Sequence, residues 1–558
     1  MVTFVTSLIQ NIFSTKSDTI HHFVSLAMTG IHMCIYISPE YEKELISMIS
    51  YFPNIKIMQV QNITDTNVYK IYTDINSEAG SIELPRHRNT EKDTCETMLY
   101  SHTKHEFIQD AIEKNPWNST HFAWVDADLM KLVKNKSYIM KYLKVISKSK
   151  LLTPYLTLPG CWNSFEKEKI QDLLNGVYWR FCGGFVMGDA TSMSHFCHLH
   201  REHFPLFLKE YRKLVWDFNF WAWMEIFLSD QWTPKWYRAD HNESIFMFSA
   251  DLYTSPLDST KTTVQNYSYP NIPSYYPTSA SYLFSGGKHL LNTRYVNYWI
   301  YPNGYYLFHN MNRIIENKNM LSELNGDTWD PVYYKEIQEH IDLPVSEGIS
   351  QGLEDIRLYE INGQVKYIAT TVGYSTQGKA RMMVGKYDVE NASITEGILI
   401  NPPYDTWSEK NWIPVVSYNG ETMQQEEYFI YKWSPMEIGK IDYSKNEWTL
   451  VYSHDTSMYP FFNRLRGSTI FHPVDEGLLG VVHFSEEHGP RHYYHMLVLL
   501  DKTTFAPIRY TQTFCFEKLG IEFCIGFTQQ SDEYIFWISR HDRDPATIRV
   551  NKTAIQWV

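Results

Sequence analysis

The sequence contains no C-x-x-C pair. Its seven cysteines, Cys34, Cys95, Cys161, Cys182, Cys197, Cys515 and Cys524, are too scattered for a disulfide framework or a zinc site. They read as reduced thiols in an intracellular setting. The N-terminus lacks a basic segment and a small-residue cleavage site, so it reads as a buried first strand and a cytoplasmic location is expected. No apolar run reaches about 18 residues, which argues against a helical membrane span. No basic excess exists either: 50 Lys and Arg face 63 Asp and Glu, for a formal charge of -13. That excludes the basic face of a nucleic-acid binder. It leaves room for a phosphate-bearing ligand, provided a cation supplies the local positive charge. There is no long charge block, and the chain is 44% hydrophobic, so it folds over most of its length.

Aromatic side chains are abundant: 17 Trp and 40 Tyr in 558 residues. They fit a large β-rich core, and they also fit sugar recognition, because aromatic faces pack on the C–H face of a pyranose. The length predicts two to four domains at roughly 100–200 residues each. Residues 1–255 alternate strand and helix signals. Val2 to Leu8, Met33 to Ile37, Ile55 to Val60 and Phe122 to Val125 read as buried strands, with helices between them at about Tyr41–Met48 and Met98–Asn115. This rhythm predicts a parallel sheet covered by helices. Residues 256–292, with their Tyr-, Ser- and Pro-rich run YSYPNIPSYYPTSASY, read as a junction lying over the surface. From 293 to 558 short strands recur, among them Val365–Thr370, Met382–Gly385, Tyr428–Tyr431 and Leu478–Val482. That pattern predicts an all-β domain, a β-propeller or a large sandwich.

Asp126 and Asp128 stand on alternate residues where the strand through Trp124 ends. Two carboxylates at that spacing can reach one hard cation. A cation bridging a diphosphate would stabilise a departing nucleoside diphosphate as a Lewis acid. The spacing alone is weak, because Asp542-Arg543-Asp544 repeats it after an apolar run. Position is the stronger argument: Asp126 lies at the carboxyl end of a central α/β strand, where open sheets bind ligands.

The run from Asn115-Pro116-Trp117 to Trp124-Val125-Asp126-Ala127-Asp128-Leu129 resembles the HtrL/YibB-like proteins, which are assigned to the GT-A glycosyltransferase fold. The resemblance continues through Phe181-Cys182-Gly183-Gly184-Phe185, Trp216-Asp217-Phe218-Asn219 and Tyr237-Arg238-Ala239-Asp240-His241. It implies a Rossmann-like GT-A domain moving a sugar from a UDP- or GDP-sugar to a glycan or glycoprotein acceptor. Mn²⁺ or Mg²⁺ would be held by Asp126, Asp128 and His241. Asp217 would take the acceptor proton, with Glu225 and Asp189 as competitors. Thr6, Ser7, Leu8, Lys104, Trp124, Gly183 and Gly184 would face the donor.

The second half carries Gly352-Leu353-Glu354-Asp355-Ile356-Arg357, Glu409-Lys410-Asn411-Trp412, Arg464-Leu465-Arg466-Gly467-Ser468 and Gly520-Ile521-Glu522. These pieces resemble five-bladed β-propeller mannoside phosphorylases and mannosidases. The resemblance implies a second sugar site with Asp355 as its catalytic carboxylate and Glu354, Arg357, Arg466, His483 and Glu522 as contacts. Ile356 departs from the family pattern, which has Pro there. The principal expectation is thus a metal-dependent glycosyltransferase with a second sugar-active or sugar-binding domain. The alternatives are a carbohydrate-binding protein with an inactive GT-A domain, and a mannoside phosphorylase or hydrolase centred on Asp355.

Overall fold

The computed structural model describes residues 1–9, 16–49, 51–78, 80–266, 269–301, 304–346, 348–418, 424–486 and 491–558. Contacts divide the chain into two compact units, Met1–Tyr253 and Thr254–Val558.

The first unit is mixed α/β. Its strands are β1 (Val2–Leu8), β2 (His32–Ile37), β3 (Ile55–Val60), β4 (His121–Val125), β5 (Leu156–Gly160), β6 (Phe185–Asp189) and β7 (Lys235–Arg238). They form one sheet in the order β3-β2-β1-β4-β6-β5-β7. Every residue of β1 and β4 is buried. Both strands are therefore covered on both faces, with Thr3, Thr6 and Ser7 buried among the apolar residues of β1, in place of the alternation of a half-exposed sheet. β1 pairs parallel with both β2 and β4. β6 runs antiparallel to β4 and β5, which the strand–helix rhythm did not foretell. The helical block expected over 98–115 is two helices, Cys95–His102 and Lys104–Lys114, separated at Thr103. The second stops at Asn115, whose left-handed φ of 31° caps it just before Pro116. The crevice at the carboxyl ends of β1 and β4 lies where the strand order reverses, the usual position of a ligand in an open α/β sheet.

The second unit is all-β, and its sheets succeed one another along the chain in a propeller-like arrangement. The strands Tyr276–Ser285, Lys288–Val296, Ile315–Leu324 and Pro331–Glu336 lie in one sheet. Glu354–Ile361, Gln364–Thr371, Arg381–Lys386 and Ile398–Leu399 make the next, followed by Ile413–Tyr418 through Glu447–His454. A further sheet is built around Gly477–Glu486 and His492–Leu500. The last contains Glu522–Gln530, Glu533–Arg540 and Asp544–Asn551, and is completed by Thr262–Gln265 from the start of the unit.

One expectation is corrected by these strands. The stretch 256–292 is not a surface junction: it supplies Thr262–Gln265 and most of the hairpin Tyr276–Ser285/Lys288–Val296. Of the aromatics in the quoted run, Tyr276 and Tyr282 lie on the first strand of that hairpin, with Tyr282 stacked on Trp537 in the core. Tyr267 and Ser268, at the head of the quoted run, lie outside the described residues. Ile356 is fully buried in the apolar core, so the departure from Pro falls on the packed side of its strand. Among the described residues no helix is long and apolar enough to cross a membrane.

Candidate functional site

A cavity of about 390 Å³ opens in the first unit. It gathers most of the residues expected there: Ser7, Leu8, Lys104, Asp126, Asp128, Gly183, Gly184, Asp217 and His241. Local structure explains the convergence. β4 delivers Asp126 at its end, where the Asp126 N–H donates to Gly184 O at 2.9 Å. Asp217 begins the helix Asp217–Phe227. The glycines leave room for the side chains around them. A Cβ on Gly183 would lie 3.1 Å from Asp217 Oδ1, and one on Gly184 would lie 2.9 Å from Leu129 Cδ1.

The charges in this cavity are already paired. Lys104 Nζ donates to Asp217 Oδ2 at 2.8 Å and Gly183 O at 2.7 Å, and lies 3.4 Å from Asp126 Oδ1. Burial alone would lower the Lys104 ammonium, but Asp126 and Asp217 outweigh it and raise its pKa. Burial raises Asp217 against the opposing pull of Lys104. Asp128 is ion-paired with Lys131. The buried Trp124 indole donates to Asp126 Oδ1 at 2.7 Å, so it orients this carboxylate and offers no face to a ligand. His241 packs edge-on against Trp179, ring centroids 4.1 Å apart.

Lys104 and Lys131 stand beside Asp126 and Asp128, and among the described residues no group of three His, Cys, Asp or Glu side chains is disposed to hold a metal ion. Other expected roles also change. Thr6 is buried, with a hydroxyl that has no hydrogen-bond partner. Gly183 offers its carbonyl to Lys104, where a backbone donor toward a ligand had been expected. The two competitors of Asp217 are engaged elsewhere. Glu225 forms a bidentate pair with Arg180 at 2.7 and 2.5 Å. Asp189 caps the helix Ala190–Tyr211 through the N–H groups of Thr191 and Ser192.

The second unit holds a separate charged cluster. Arg294, on Lys288–Val296, is its hub: it donates to Asp355 Oδ1 at 2.9 Å and Asn317 Oδ1 at 2.8 Å, and lies 3.8 Å from Glu354 Oε2. Asp355 also accepts from Ser279 Oγ at 3.1 Å. A register shift between Glu354 and Arg357 marks an irregularity in this strand. Within it Asp355 adopts a left-handed φ of 50°, an uncommon conformation for a residue with a Cβ. Strained backbone of this kind concentrates at functional sites. Glu354 accepts from Ser350 Oγ at 2.7 Å and from Lys410 Nζ at 3.2 Å. Burial pushes its pKa up, but Lys410 and Arg294 outweigh that and hold it at about 2.

Asp542 sits in the turn between Glu533–Arg540 and Asp544–Asn551, 3.3 Å from the Tyr298 hydroxyl. Burial raises its pKa against the pull of Arg294, and the charge of Asp355 raises it further. Tyr306, Arg491 and Tyr493 lie within electrostatic reach of the same carboxylates.

The other expected contacts divide by position. Arg357 is fully buried and donates to Ser468 O, Asp355 O and Asn411 Oδ1, at 2.6, 3.1 and 3.0 Å. It ties neighbouring strands together underneath Asp355. His483 is buried, with Nδ1 2.8 Å from Ser468 Oγ, and it pairs in register with the exposed Arg466. Glu522 is corrected to a clamp: it accepts the N–H groups of Phe516, Glu517 and Lys518 at 2.7, 3.0 and 3.1 Å. Those bonds occupy the carboxylate that had been assigned to a sugar. Sequence reasoning assigned no role to Arg294, Lys410, Tyr298 or Asp542. Asp542 had served only as the control that weakened the Asp126–Asp128 argument. A signal for it was present, in a carboxylate placed in a tight turn soon after the apolar run Tyr534–Ile538.

With this geometry described, comparison with known proteins adds the following. A family described as a bacterial protein of unknown function (HtrL_YibB) matches residues 18–216. No curated protein matches the chain. Among solved structures, a β-1,2-mannobiose phosphorylase from Listeria innocua is 13% identical, covering 52% of this chain and 97% of its own, with a TM-score of 0.34. A mannose phosphorylase from Leishmania mexicana is 12% identical, covering 55% and 92%, at 0.33. A putative glycoside hydrolase from Parabacteroides distasonis is 10% identical, covering 52% and 98%, at 0.35. The expectation of a nucleotide-sugar glycosyltransferase is corrected accordingly. The solved structures this chain resembles are phosphorylases and glycoside hydrolases. The acidic pair on which that expectation stood is neutralised by lysines.

Proposed function

We propose that this is a carbohydrate-active protein whose second unit acts as a glycoside phosphorylase or hydrolase, with Asp355 at the reaction centre. The observation that carries this reading is the gathering of Glu354, Asp355 and Asp542 around Arg294, with Asp355 on strained backbone. Cleaving a glycosidic bond requires a proton for the departing oxygen and a carboxylate beside the anomeric carbon. Carboxyl groups with divergent environments divide these tasks. Asp542, raised by burial and by a neighbouring negative charge, is the group that keeps a proton. Asp355, salt-bridged to Arg294, is the carboxylate beside the anomeric carbon. An oxygen of phosphate or water bonds to the anomeric carbon as the glycosidic C–O bond breaks, the departing oxygen takes the proton of Asp542, and where water attacks, Asp355 takes the proton that the water loses. Lys410, Arg466 and Arg491 would supply positive charge for phosphate as the attacking group. On the same reading each sheet of four or more strands in the second unit is one blade, giving five. The strand order of the first unit, with its one antiparallel interior strand, supports a GT-A-type fold there.

The test is incubation of the full chain with a panel of mannosides, with and without inorganic phosphate, and chromatography of the products. Sugar phosphate appearing only with phosphate supports phosphorolysis, and free sugar without it supports hydrolysis. Asp355→Asn should lower either at least a hundredfold. Activity should fall as pH rises past the pKa of Asp542, and Asp542→Asn should abolish that limb of the profile. Release no greater than that of Asp355→Asn across the panel would sink the proposal.

A further inference from the structure

At the wall of the first-unit cavity, which Cys182 lines, two thiols stand face to face. Cys161 follows β5 and Cys182 precedes β6, and their sulfurs are 3.6 Å apart. Both segments are pinned beside each other by backbone bonds. Cys161 N–H and Trp162 N–H donate to Trp179 O at 3.2 and 2.9 Å, and Cys182 N–H donates to Pro159 O at 2.8 Å. They lie so close that a Cβ on Gly160 would stand 2.2 Å from Arg180 O. The proximity is therefore set by the backbone, not by a chance rotamer. The two cysteines differ in access: Cys161 is half-buried, whereas Cys182 is 2% exposed. Cys182 also lines the cavity and precedes Gly183, whose carbonyl holds Lys104.

We propose that Cys161 and Cys182 are a site of reversible oxidation, closing an intramolecular disulfide that fixes this wall of the cavity. A disulfide requires the sulfurs to approach to about 2.0 Å, a movement within the reach of side-chain rotation. With glutathione disulfide as oxidant the atoms balance in two steps. Cys161, as the thiolate, attacks one glutathione sulfur, forms a mixed disulfide and expels one glutathione thiolate. The Cys182 sulfur then attacks the Cys161 sulfur and expels the second. Two protein S–H bonds are lost, one S–S bond forms, and two glutathione thiols carry away the protons and electrons. Burial raises both thiols, so exchange quickens toward alkaline pH. The closed loop spans 161–182, and closing it restricts the unfolded chain.

The test is glutathione disulfide treatment of the full chain at mildly alkaline pH, then alkylation and peptide mass spectrometry. The expected product is a cross-linked Cys161–Cys182 peptide, with a raised melting temperature that dithiothreitol reverses. Cys182→Ser should trap a stable glutathione adduct on Cys161, because the resolving sulfur is gone. Cys161→Ser should leave Cys182 unmodified, because it is out of reach. Serine is near-isosteric, and circular dichroism checks that both variants fold. If the unmutated chain keeps glutathione on Cys161 with Cys182 free, or if both thiols stay alkylatable, the proposal is overturned.

Discussion

Lys104 shows how one side chain can decide the character of a cavity. Its ammonium is buried, and three oxygens from Asp126, Asp217 and Gly183 surround it. Breaking a buried pair by removing one partner typically costs about 3–5 kcal/mol, because the other charge is left uncompensated. Lys104→Met should therefore lower the urea midpoint by roughly that free energy, and adding Asp217→Asn should recover part of it. If the single variant is as stable as the parent, the pairing has no energetic weight. Glu522 makes a second prediction at this scale. Its carboxylate binds three backbone N–H groups. Glu522→Gln should cost about 1–3 kcal/mol yet leave turnover per folded molecule unchanged, measured on the soluble fraction. A fall in turnover without a fall in stability would instead return Glu522 to the sugar site.

At the scale of the element, the helices Cys95–His102, Lys104–Lys114 and Ala190–Tyr211 bring three histidines together in the core. His102 Nδ1 is 3.0 Å from His200 Nε2, and the rings of His105 and His200 stack at 3.8 Å. Burial lowers all three, His102 and His105 to about 3. The unfolded chain therefore binds more protons than the folded one below the ordinary value of 6.5. The stability contributed is complete above 6.5 and is lost as pH falls from there toward about 3, with a slope of about 1.4 kcal/mol per pH unit for each proton taken up. Urea titrations between pH 7 and 5 should show it, and His200→Phe should flatten the slope. An unchanged midpoint would show that protons enter without opening the core.

Glycine placement gives another contrast between elements. A Cβ on Gly160 meets backbone, whereas one on Gly184 meets the mobile end of Leu129. Gly160→Ala should cost more than Gly184→Ala, with overpacking of about 1–3 kcal/mol as the scale. Equal thermal shifts would contradict the geometry. The elements were also the most legible part of the sequence. β4 announced itself as the apolar run Phe122–Val125 and β1 as a segment rich in Val, Thr and Phe, both covered on both faces. The direction of β6 was hidden, because antiparallel and parallel buried strands carry the same residues. The hairpin at 276–296 was hidden because Tyr, Ser and Pro suit turns as well as edge-rich strands.

For the whole molecule, chain order and spatial grouping diverge most in the second unit. Arg294, Asp355, Lys410 and Asp542 are far apart in sequence and meet only when its successive sheets are assembled. Local pattern could therefore point to Glu354-Asp355-Ile356-Arg357 but not to its partners. In the first unit the expected residues did converge on one cavity, while their charges paired with lysines that a motif search does not weigh. The strand Thr262–Gln265 finds its partner only in Asp544–Asn551, nearly the full length of the unit later in the chain. During synthesis the early strand must wait unpaired, with its edge open, until the late one leaves the ribosome. In the first unit β1 already has β2 as a partner and waits for β4 only until Val125 is made. The nascent chain thus matures in two tempos, and chaperones that shield open strand edges have their longest window on this second half.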